Sequence, residues 1–71
     1  MDIPVTSPVA LLTDVPEKRL TRGQIGTVIE SLRRDSEEAL LVEFSDSDGA
    51  TYATAILTAD QVIPIHRRDA A

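Results

Sequence analysis

Apolar residues fall along this chain in short runs separated by polar, turn-rich stretches. The first run, Pro8-Val9-Ala10-Leu11-Leu12-Thr13, has strand length. Asp14-Val15-Pro16-Glu17-Lys18-Arg19 is polar and interrupted by proline, which reads as a loop. Gly23 suits a tight turn, and Ile25-Gly26-Thr27-Val28-Ile29-Glu30 follows it as a β-branched strand. Gly26 within that run predicts a bend or bulge. In Ala39–Ser45, Leu40, Val42 and Phe44 alternate with Leu41 and Glu43, so one face points inward. Asp46-Ser47-Asp48-Gly49 reads as a turn, and Thr51–Leu57 is the partner strand. Thr58-Ala59-Asp60-Gln61 predicts a short 3₁₀ turn with Thr58 able to cap it. Val62-Ile63-Pro64-Ile65 closes the series, with Pro64 placing it at an edge.

The stretch between the second and third runs, residues 31–38, is polar apart from Leu32. A short helix over 31–41, with Arg33–Glu37 and Arg34–Glu38 pairs, competes there with a strand hairpin. Its charge order is the weaker one and no apolar stripe runs through it, yet the pattern leaves both readings open. Five short strands without a strong helix predict an all-β fold, a small barrel. Residues 1–7 are expected to be a flexible lead-in, 8–65 the domain, and 66–71 a frayed tail. The expected core is Val9, Leu11, Ile25, Val28, Leu40, Val42, Phe44, Ala55, Leu57, Val62 and Ile65.

Length and charge narrow this picture. A chain of 71 residues fits one domain, and it buries only about 60% of its unfolded surface. With no cysteine it has neither disulfides nor thiol chemistry. Met1-Asp2-Ile3-Pro4 lacks the basic and apolar regions of a signal peptide, and no apolar run is long enough to span a membrane. A soluble cytoplasmic protein is expected. The formal charge is −5, with 12 acids against 7 bases, which weighs against nucleic acid and either simply keeps the protein soluble, the plainer reading, or favours a basic partner.

Candidate chemistry is sparse. The single histidine, His66, sits beside an Arg-Arg tail, a poor place for precise catalysis and an ordinary one for a solvated side chain. Asp46-x-Asp48-Gly49 hints at a calcium loop, but Leu57 stands where such a loop needs its twelfth-position acid. Asp14 with Glu17, and Glu37 with Glu38, are carboxylate pairs that solvated loops explain more simply. Gly23-x-x-Gly26 is too short for a phosphate-binding fingerprint, and Arg33-Arg34 is neutralised locally by Asp35, Glu37 and Glu38. Phe44 and Tyr52 are the sole aromatics, too few for a proline-peptide groove, a methyl-lysine cage or a base-stacking platform.

The order V-A-L-L, R-G-Q-I-G-T-V-I-E, V-E-F, D-G and T-A-D-Q-V-I-P-I resembles an uncharacterised bacterial family, domain of unknown function 4926. The resemblance runs from about Val9 to Ile65, with R-G-x-x-G-T-V its most specific element. It implies a small five-stranded SH3-like barrel with one short 3₁₀ turn before the last strand, and it supplies no catalytic residues. It also suggests an antitoxin or immunity role within a two-protein complex. Gly23 to Val28 is similar, too, to the Kyrpides–Ouzounis–Woese motif of ribosomal and elongation proteins, and to small subunits of photosynthetic electron-transfer complexes.

The expected function is therefore a non-catalytic protein-binding module without a cofactor or metal, an accessory subunit or an antitoxin-type protein. Glu37, Glu38, Asp46 and Asp48 at loop tips are the candidate contacts for a basic protein partner. A ribosome- or RNA-associated barrel is the alternative, and an enzyme or cofactor carrier has no visible equipment. Exposed edge strands leave a homo-oligomer open.

Overall fold

Alternation of inward and outward side chains builds five antiparallel strands into one sheet of order β4-β3-β2-β1-β5. The structure, a computed structural model, describes Ile3 and residues 5–65. The strands are β1 (Pro8–Leu11), β2 (Ile25–Arg34), β3 (Glu37–Ser45), β4 (Thr51–Thr58) and β5 (Val62–Pro64). Among the described residues there is no α-helix, so the expected all-β, five-stranded, small barrel-like fold is what the chain adopts. The expected 3₁₀ turn spans Ala59–Gln61 just before β5, and the Thr58 N–H donates to Gln61 Oε1 at 2.9 Å.

Residues 31–41 form strands, not a helix. Arg34 lies opposite Glu37 across a two-residue turn, and Asp35 takes the positive φ (56°) that tight hairpins favour. At the other end of β3, Gly49 adopts φ 84° and donates its N–H to the Asp46 carbonyl. Glycine serves in that loop because it lacks a Cβ.

The inward side chains meet in one core. Val9, Leu11, Val28, Leu40, Val42, Phe44, Ala55, Leu57 and Val62 are buried, as their alternation predicts. Ile25 is not: it is 58% exposed. Val28 faces inward, so the period of two sends Gly26 inward with it and Ile25 outward. Ile65 lies past the end of β5 and is half-buried. Three residues outside the expected core join it: Ile3, Val15 and Leu20. Val15 and Leu20 bridge each other around a second 3₁₀ turn, Pro16–Lys18, and fold the β1–β2 loop over the core. Ile3 is buried from the lead-in, where the Thr6 N–H donates to the Val28 carbonyl and the Ser7 carbonyl accepts from Val28. The tail 66–71, including His66, and Met1, Asp2 and Pro4 lie outside the described residues.

Gly26 is expected from sequence to mark a bend or bulge; the ladder has no register shift there, and close packing is what the position requires. A Cβ built there would stand 2.7 Å from Val42 Cγ1, 2.9 Å from the Glu43 carbonyl and 2.9 Å from Phe44 Cδ2. Glycine is required because the Phe44 ring and the β3 backbone occupy the space. The ladder irregularities fall elsewhere, between Val28 and Glu30 and between Phe44 and Ser45. Such bulges sharpen the local twist and help the sheet wrap its core.

Two substitutions test this packing. Phe44→Ala empties the site of a fully buried ring and is expected to cost about 3–5 kcal/mol. Gly26→Ala forces backbone and ring apart and is expected to cost about 1–3 kcal/mol or more. Urea denaturation reads both, and a wild-type midpoint for Gly26→Ala would show that the close approach is not real.

Candidate functional site

The four loop-tip acids do not form one patch. Glu37 and Glu38 begin β3, whereas Asp46 and Asp48 lie just beyond its end. Most of the length of that strand, roughly 25–30 Å, separates the two pairs. Glu38 pairs loosely with Arg33, with 3.8 Å between Nη2 and Oε2, and Glu37 faces Arg34 in register. Asp46 is engaged in its own turn, where its Oδ1 accepts the N–H groups of Asp48 at 2.9 Å and Ala50 at 3.0 Å. Glu37 and Asp48 remain as exposed charges, one at each end.

The outward face of the sheet carries more distinctive chemistry. Across β5, β1 and β2, Ile63, Ala10 and Ile25 stand side by side in register. Ile25 and Ile63 are at least half exposed. Farther along, Glu30, Leu41 and Ile56 form a second row across β2, β3 and β4. Ile56 is 65% exposed, the highest value among the described large apolar side chains. Glu43 sits between the rows, flanked by Thr27 and Thr54. An open groove of about 330 Å³ borders the second row, lined by Lys18, Leu41, Thr54, Ala55 and Ile56.

Tyr52 is also exposed, beside the irregularity at the start of β4, and its hydroxyl accepts from Gln24 Nε2 at 2.9 Å. This ties β4 to the β1–β2 loop. The same loop is held by the Arg22 N–H donating to Asp14 Oδ1 at 2.8 Å, so Asp14 is a loop brace. Among the described residues no polar or charged side chain is buried. Nor do three His, Cys, Asp or Glu side chains gather there as a metal site. No described helix is long and apolar enough to cross a membrane.

Sequence reasoning misses this outward face because it puts Ile25 in the core and gives Ile56 and Ile63 no role of their own. The signal is present in the pattern: Ile56 falls between Ala55 and Leu57, and Ile25 precedes an inward Gly26. Strict period-two counting assigns both to the outer surface.

The family model described as domain of unknown function (DUF4926) matches residues 6–64, and the chain belongs to that family. No curated protein and no solved structure matches it.

The split role of the aspartates gives a direct check. Asp46→Ala removes the acceptor of two backbone N–H groups and is expected to destabilise the chain by about 0.5–2 kcal/mol. Asp48→Ala is expected to stay within about 0.5 kcal/mol of wild type. Equal thermal midpoints for the two variants would refute the assignment.

Proposed function

We propose that the chain is a small non-catalytic protein-binding module, working in the bacterial cytoplasm as the accessory or antitoxin-type member of a two-protein complex. The observation that carries this reading is the outward face of the sheet. Isoleucine at positions 25, 56 and 63 stands exposed where threonine occupies neighbouring outward positions, Thr27, Thr54 and Thr58. Both residue types are β-branched and favour strands, so propensity accounts for either. Isoleucine adds apolar surface that water does not stabilise, and the two short apolar rows, Ile25 with Ile63 about Ala10 and Ile56 beside Leu41, are surface of the kind found at docking sites.

Further support comes from the described charges. Ten acids, from Asp14 to Asp60, oppose five bases, of which Arg33 is paired and Arg34 faces Glu37. That balance suits a basic protein surface and opposes a phosphate backbone. Every buried residue described is apolar, so that interior holds none of the desolvated titratable groups from which active sites are commonly built.

A tagged full-length chain, captured from native lysate with and without nuclease, tests the module reading. One protein recovered at about equal stoichiometry and insensitive to nuclease is the expected result. Ribosomal proteins that vanish on nuclease treatment would transfer the function to RNA association. Recovery of nothing from a folded sample would remove the module reading.

A further inference from the structure

The second outward row specifies more than a generic contact. Leu41 has Ile56 opposite it on β4 and Glu30 opposite it on β2, and Glu43 follows two residues along β3. Glu30 and Glu43 are therefore diagonal neighbours on one face, on either side of the bulge between Val28 and Glu30. Among the described residues no base stands in register with either. Arg33 and Arg34 lie at the hairpin end with Glu38 and Glu37, and Lys18 lines the groove on the Ile56 side. Apolar surface beside two unneutralised like charges is an incomplete arrangement. It is completed by a ligand that brings apolar side chains and positive charge together.

We propose that this face, centred on Leu41 and Ile56, docks a basic amphipathic helix of a partner protein. The inference rests on the module reading above and names the surface and the partner's chemistry. The helix lays its apolar stripe over Leu41 and Ile56 and into the groove beside them, as a helix packs on a sheet. Lysine or arginine residues flanking that stripe reach Glu30 and Glu43. Charge complementarity selects this occupant over a second copy of the chain, whose own Glu30 and Glu43 would be brought close to the same pair across the contact. The Ile63–Ala10–Ile25 row has no charges in register and specifies no partner of its own.

The test uses a fluorescent leucine–lysine peptide of roughly 14 residues, designed as an amphipathic helix, with a leucine–glutamate peptide of equal length as control. Fluorescence anisotropy with the full chain should show salt-weakened binding of the lysine peptide and none of the glutamate peptide. Ile56→Thr keeps the β-branched shape, and it should weaken binding about tenfold or more, as should the pair Glu30→Gln with Glu43→Gln. Glu37→Gln with Asp48→Asn removes the same charge at the loop tips and should stay within about twofold of wild type. All substituted positions are at least partly exposed, and circular dichroism confirms folding of each variant. Equal weakening by the two charge pairs, or binding indifferent to Ile56→Thr, would overturn the proposal in favour of diffuse attraction to an acidic protein. So would self-association that Ile56→Thr abolishes. If Ile56→Thr still captures the lysate partner while the peptide does not bind, this surface is wrong and the module reading stands. If no variant and no wild-type chain captures a partner, both fail.

Discussion

The close approach of β3 to Gly26 is the constraint on which the rest of the chain depends. Phe44 is the largest buried side chain, and its ring occupies the space a Cβ at position 26 would need. Because that inward position on β2 holds no side chain, the ring of a neighbouring strand fills it. Val28 is then the inward residue of β2 that packs beside Val42, its register partner. Register follows from this fit, since a slip of one residue would bring Ile25 or Thr27 beneath the ring. Outward placement of Ile25 is the direct consequence. The inner packing and the outer surface are thus one fact seen from two sides.

A domain this small has little interior to spare, and its loops contribute to it. Val15 and Leu20 bring the β1–β2 loop over one side of the core, and Ile3 covers another part. Asp14 and Gln24 brace that loop through the backbone of Arg22 and the Tyr52 hydroxyl. These polar contacts are exposed and individually weak. Their value is geometric: they hold two apolar loop residues against the sheet, where burial supplies the free energy.

The strands were legible because alternation is a strong signal over five or more residues. Leu40, Val42 and Phe44 on β3, and Ala55 and Leu57 on β4, are placed correctly by it. The loop residues of the core were not legible. Val15 and Leu20 are isolated apolar positions on either side of a polar, proline-containing run, and no period singles them out. The polar hairpin 31–38 was ambiguous for a related reason, since it extends past the core and burial imposes no pattern on it. The acidic loop tips were legible as charges but not as geometry. Only the ladder shows that β3 holds them at opposite ends, and that Asp46 is occupied by its own turn. Ile25 is misplaced by the assumption that a large apolar residue in a small protein belongs inside, a rule that holds in one direction only.

That assumption fails here for a reason connected to stability. The buried set is small, and the outward isoleucines add nothing to it while exposed. In the isolated chain the exposed half or more of each contributes nothing beyond β propensity, which the neighbouring threonines supply as well. Their apolar area becomes stabilising when something covers it. A ligand that binds the folded chain and not the unfolded one adds about 2.7 kcal/mol at roughly 100 times its dissociation constant. For a domain whose whole stability is on the order of 5 kcal/mol, that increment is a large fraction. On the proposed reading, isoleucine placed outside would shift part of the folding free energy from the monomer to the complex, and would couple the amount of folded chain to the presence of the partner.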